Sequence, residues 1–104
     1  MSNENIRIKE DNRLGKILRL LRTIQDMSVK ELASKMEIAP TYICDVESNR
    51  KHPSLNMLEK YSVALGVNTS TILYFAEQDK KMNFSHQELL LSILQILTQN
   101  ANTQ

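Results

Sequence analysis

The sequence predicts an all-α fold, and three observations carry that prediction. Two glycines and two prolines among 104 residues leave little material for β-hairpins. Apolar residues recur at the i, i+3, i+4, i+7 spacing of a helix face, and no stretch sustains the alternation of a strand. Two capping boxes, Ser28-Val-Lys-Glu31 and Ser85-His-Gln-Glu88, mark helix starts, because each serine and glutamate can satisfy the other's free backbone N–H.

Taken in order, residues 1–10 are polar apart from one Ile-Arg-Ile triplet and read as a flexible arm. Asp11 or Asn12 caps a first helix whose face is Leu14, Ile17, Leu18 and Leu21. The first capping box, with Met27 and Leu32 as a hydrophobic staple, opens a short second helix through Met36. Pro40 suits the first turn of a third helix, which runs to about Ser48. Arg50 to Pro53 is a loop, Ser54 caps a fourth helix, and Gly66 ends it. Asn68 or Thr69 opens a fifth helix with Ile72, Leu73 and Phe75. Residues 77–83 are polar and fit either a linker or more helix. The second capping box, with Phe84 and Leu89 as its staple, starts a sixth helix, and the tail from Gln99 frays.

At 41% hydrophobic and 24% charged, the composition is that of one globular domain. No apolar run approaches the roughly 18 residues of a transmembrane helix, and no signal-peptide pattern opens the chain. The single cysteine, Cys44, excludes an internal disulfide and any multi-cysteine metal cluster, so a soluble protein of a reducing cytoplasm is expected. Net charge is +1 and selects no partner; its distribution says more. Between Asp11 and Asp26 four basic residues face two acids, and Asn49-Arg50-Lys51-His52 is basic with no acid inside it. Residues 55–104 hold three lysines against four acids. A local phosphate-binding surface and a scatter of solvated charges both fit this pattern.

The second and third helices are joined by only Glu37-Ile38-Ala39, the connection length of a helix-turn-helix unit. There the second helix of the pair enters the DNA major groove while the first crosses the backbone. Ile43 and Val46 supply an inward side for the third helix. Thr41, Cys44, Asp45 and Ser48 share the other side, short enough for the helix axis to approach base edges. A solvated helix of an unrelated bundle would show the same spacing.

From Leu14 to Phe75 the chain resembles the Cro/C1-type (Xre) helix-turn-helix family. The resemblance lies in Ile17-Leu18-x-x-Leu21-Arg22, Ser28-x-x-Glu31-Leu32-Ala33, Ile43-x-x-x-Glu47, Pro53-Ser54-x-x-x-Leu58 and Leu65-Gly66-Val67, about 62 of 104 residues in order. Tyr42-Ile43 and Glu47-Ser48-Asn49 are similar both to SinR-like repressors and to restriction–modification controller proteins. The resemblance implies a five-helix DNA-binding domain over residues 11–76. Residues 77–104 are then a linker and a C-terminal amphipathic helix. It also implies a partly buried salt bridge between Arg22 and Glu47, which fixes the third helix rather than touching bases.

Contacts to double-stranded DNA are expected from Ser28, Lys30, Ala39, Pro40, Thr41, Tyr42, Cys44, Asp45, Ser48, Asn49, Arg50, Lys51 and His52. Three positions depart from the family pattern. Glu37 stands where a turn glycine is usual and must accept positive φ there, Val29 replaces a frequent glutamine, and Ala39 replaces a capping Ser or Thr. Asp45 either accepts from a cytosine N4 or pairs with Arg50 or Lys51. Cys44 has no evident activating base and reads as an inert small residue rather than a redox sensor.

Enzyme chemistry fails on inventory. His52 and His86 lie in different elements, and no catalytic triad, paired carboxylate or metal-ligand spacing recurs, so no cofactor or metal is expected. The last helix is too apolar to leave bare. Leu89, Leu90, Ile93, Leu94 and Leu97 form its expected seam, and a second copy of the chain is the expected occupant, with a protein antagonist as a further partner. Two half-sites one helical turn apart would suit such a dimer. The expected function is a transcriptional regulator, a repressor before a controller-type activator or an antitoxin-type protein-binding module.

Overall fold

The structure, a computed structural model, describes residues 13–102. It contains six helices: α1 (Arg13–Ile24), α2 (Val29–Met36), α3 (Pro40–Glu47), α4 (Leu55–Leu65), α5 (Thr69–Met82) and α6 (His86–Asn102), with no strand among the described residues. The expected arm and the capping candidates Asp11 and Asn12 lie outside the described residues. Among those residues no helix is long and apolar enough to cross a membrane.

Helix α1 is the hub, packing against α3, α4, α5 and α6. Its stripe of Ile17, Leu18 and Leu21 is fully buried, with Leu14 and Leu20 nearly so. Leu32, Ile43, Leu58, Tyr61 and Ile72 close the core from the four helices that follow. Truncating a residue such as Leu18 to alanine would cost about 2–5 kcal/mol, since such a core collapses only partly around a cavity.

The caps form where the spacing places them. Glu31 N–H donates to Ser28 Oγ at 3.0 Å and Ser28 N–H to Glu31 Oε1 at 2.8 Å. Ser54 Oγ accepts from Met57 N–H at 3.2 Å. Gly66 ends α4 at φ +70°, a left-handed conformation that costs a glycine little.

The division expected after residue 76 falls in the middle of a helix. Residues 77–82 continue α5, which ends only at Asn83 in the left-handed region. Nothing between Thr69 and Met82 breaks a helix, and Lys80 and Lys81 complement the dipole of its last turn. The physical reason is buried: Asp79, fully inaccessible, takes an ion pair from Lys16 Nζ at 3.1 Å and pins this half of α5 to α1. After one tight turn α6 opens on the second capping box, with bonds of 2.9 and 3.1 Å. It folds back against α1 and runs to Asn102, beyond the end expected near Gln99.

Candidate nucleic-acid interface

The turn between α2 and α3 is built by backbone conformation rather than by side-chain caps. Glu37 sits at φ +58°, so its N–H and that of Ile38 turn back to Ser34 O at 3.1 Å and Ala33 O at 3.0 Å. A non-glycine residue there carries strain, which Glu37 bears while Ile38 packs against the core. Ala39 follows as an N-cap without a side-chain bond, and Pro40 starts α3 with its φ preset.

Helix α3 is sided. Ile43 and Val46 are buried in the core, whereas Thr41, Cys44 and Ser48 are exposed together and Asp45 is half-buried. Ser48 Oγ donates to Cys44 O at 2.8 Å, so what it offers outward is an acceptor. The inner flank is gripped by α1. Arg22 Nε and Nη2 donate to the two oxygens of Glu47 at 2.7 and 2.9 Å, and Nη1 donates to Met27 O at 2.8 Å. Both side chains are about nine-tenths buried. The hydrogen bond to Glu47 holds the guanidinium's pKa above its ordinary value, although burial works against it.

One further residue sets α3, and the sequence reading did not single it out. Gly15 lets α1 approach the end of α3 so closely that an added Cβ would collide with Val46 O and lie 2.6 Å from Asn49 Oδ1. A glycine inside an otherwise regular apolar helix pattern was the available signal. Tyr61 of α4 lies fully buried, and its hydroxyl has no hydrogen-bond partner among the described residues. Burial pushes that phenol well above the usual tyrosine range.

The loop after α3 is organised around Asp45. Its carbonyl accepts from Arg50 N–H at 2.7 Å and Lys51 N–H at 3.1 Å. Its carboxylate accepts from Arg50 Nε at 3.1 Å and has Lys51 Nζ at 4.0 Å. Of the two roles open to Asp45, pairing with the basic loop is the one this structure adopts. Lys51 also lies over the Tyr42 ring, 5.6 Å from its centre. Asn49 allows the chain to leave the helix at φ +67°. Arg50 and Lys51 remain largely exposed, and His52 is half-buried beside the buried Pro53. Ser28 and Lys30, at the start of α2, are exposed as well.

The residues assigned to a seam on α6 divide into two sets. Leu89 and Ile93 are fully buried within the chain's own core, because α6 lies on α1. These two side chains are unavailable to a second copy. Leu90 and Leu97 are half-buried and Leu94 is 41% exposed. Leu91 on α6 and Tyr74 on α5, which the seam did not include, are more than half exposed.

Residues 18–72 match the model of a family described as helix-turn-helix. Multiprotein-bridging factor 1 of Candida glabrata is 42% identical over 59 residues, 57% of this chain but only 39% of that protein. The HTH-type transcriptional regulator SinR of Bacillus subtilis is 30% identical over 81 residues, covering 74% of this chain and 73% of the relative. Among solved structures, SinR in complex with DNA superposes with a TM-score of 0.55 at 34% identity, over 58% of this chain and 97% of that one.

Proposed function

Since the chain belongs to the helix-turn-helix family, we propose that it is a sequence-specific DNA-binding transcriptional regulator, a cytoplasmic repressor acting as a homodimer on a palindromic operator. One observation carries the reading. Helix α3 buries Ile43 and Val46 and presents Thr41, Cys44 and Ser48 beside a loop with exposed Arg50 and Lys51. The short side chains admit the helix to the major groove, and the loop's cations meet backbone phosphates. That a similar chain has been solved with DNA supports the assignment.

In this reading Thr41 and Cys44 contact base edges. Lys30 and the N-terminal end of α2, with Ser28, approach one phosphate strand, and Asn49, Arg50, Lys51 and His52 approach the other. Ala39, Pro40 and Tyr42 line the approach. Asp45 orients Arg50, and Arg22–Glu47 holds the whole helix in place. The dimer uses the apolar surface left on α6, Leu90, Leu94 and Leu97, with Leu91 and Tyr74 added to it.

Selection of binding sites from random duplexes tests the proposal. The expected product is a two-half-site sequence with centres one helical turn, or a multiple of it, apart. Recovery of no preferred sequence refutes sequence-specific binding. Transcription from the selected operator, lowered by a repressor and raised by a controller-type activator, assigns the sign. The exposed apolar side chains of α6 support a second reading, a protein-binding module, which predicts that a different chain copurifies.

A further inference from the structure

A cleft of about 350 Å³ opens between α1, the end of α3 and the first turn of α6, walled by Leu20 and lined by Lys16, Arg19, Thr23, Glu47, Asn49 and His86. It lies on the flank of α3 that faces α1, away from the face of Thr41, Cys44 and Ser48. The one acid among the described residues that line it is already engaged, because both Glu47 oxygens accept from Arg22. Lys16 pairs with Asp79 on its inner side and keeps over a third of its side chain exposed. Arg19 is exposed, and its guanidinium has no hydrogen-bond or ion-pair partner among the described residues. Thr23 Oγ1 donates to Arg19 O, so it offers only an acceptor. His86 begins α6, which brings the positive end of that helix dipole to the same rim. The cleft thus presents a guanidinium, an ammonium, an imidazole and an amide, with its carboxylate neutralised.

We propose that this cleft binds the phosphate group of a small phosphorylated molecule. Arg19 supplies the planar fork that suits a phosphate, Lys16 adds charge, His86 adds a ring N–H, and Asn49 offers an amide from just beyond the end of α3. The volume falls at the small end of ligand sites and leaves room beyond the phosphate for a compact organic portion against Leu20. Glu47 and Asn49 sit at the end of α3, so whatever factor occupancy changes DNA affinity by, DNA changes phosphate affinity by the same factor. That linkage rests on the proposed function; the binding does not.

The test uses the full chain, with inorganic phosphate titrated against chloride at constant ionic strength and the His86 ring and Arg19 Nε–H followed by NMR. Saturable shifts are expected with phosphate, and their loss in the Arg19→Gln/His86→Gln double variant, whose altered side chains are both exposed and whose unfolding temperature should match the parent. Shifts that do not saturate, that chloride reproduces, or that survive in the double variant mean an adventitious ion only and overturn the proposal. The same variant titrated with duplex DNA separates the two sources of phosphate. An unchanged salt slope is expected, whereas a slope lowered by about 1 places a backbone phosphate in the cleft and overturns the small-molecule assignment. Absence of DNA binding in both proteins would defeat the proposed function and leave the phosphate titration standing.

Discussion

Lys16 and Asp79, 63 residues apart, meet at 3.1 Å where α1 crosses the second half of α5. The carboxylate is fully buried and the ammonium is not, so the pair joins the interior to the solvent through one lysine stem. A buried carboxylate without a partner would be strongly unfavourable. Its position therefore ties the second half of α5, past residue 76, to α1.

Asp79→Ala should loosen the C-terminal half of the molecule selectively. Amides of residues 77–82 and of α6 are expected to exchange faster by hydrogen–deuterium NMR, with a global loss of about 1–3 kcal/mol. Wild-type protection across α5 in the variant would show that Asp79 anchors nothing.

Arg22→Ala leaves Glu47 charged and about nine-tenths buried, and should cost about 3 kcal/mol in urea unfolding at pH 7. Arg22→Lys is expected to recover only part of this, since an ammonium cannot hold both carboxylate oxygens and Met27 O together. Full rescue by lysine would mean that charge alone suffices.

Tyr61→Phe removes a buried hydroxyl that has no partner among the described residues, and should leave the protein as stable or up to about 1 kcal/mol more stable at pH 7. Burial raises the folded-state phenol above the ordinary value of about 10. As pH rises past that value the unfolded chain gives up this proton first, so the folded state loses stability. The alkaline limb of the stability curve should therefore be shallower in the variant. Equal limbs would refute the assignment.

Arg50→Gln and Lys51→Gln should each lower the salt slope of DNA binding by about 1. Asp45→Asn should act in the opposite direction, tightening binding to random duplexes while selection returns an unchanged motif, because its carboxylate holds Arg50 instead of reading a base. A motif altered at one base pair would instead assign Asp45 to direct readout.

Leu90→Glu with Leu94→Glu should convert a sedimenting dimer to a folded monomer. Leu89→Ala should lower protomer stability by about 2–5 kcal/mol, since Leu89 is inside the core. A double variant that stays folded and dimeric would move the seam to Tyr74 and the rest of α5.

The helix order, both capping boxes and the inward face of α3 were legible because each depends on residues within a few positions of one another. Glu37 at positive φ was legible too, through the family resemblance, since it stands where a turn glycine is usual. What escaped depends on contacts across the chain. Asp79 looked like one more charge in a polar stretch, and only the fold brings Lys16 beneath it. Leu89 and Ile93 looked the same as Leu90 and Leu94, because periodicity describes a stripe without saying which edge meets α1. Gly15 inside an apolar helix pattern signalled a close approach, but not that it is made by the end of α3, 31 residues on at Val46. The role of Asp45 was open by spacing alone, and geometry drew it to Arg50.

The residues that hold α3 and those it turns outward are disjoint. Ile43, Val46, Glu47 and the gap at Gly15 fix where the helix lies, while Thr41, Cys44 and Ser48 are exposed. Substitution at the outward three should change the scaffold's folding energy little, so under the proposed function target preference can change without loss of the fold. The same separation makes those positions natural ones to randomise in a library, with Gly15, Arg22 and Glu47 kept constant as the chassis.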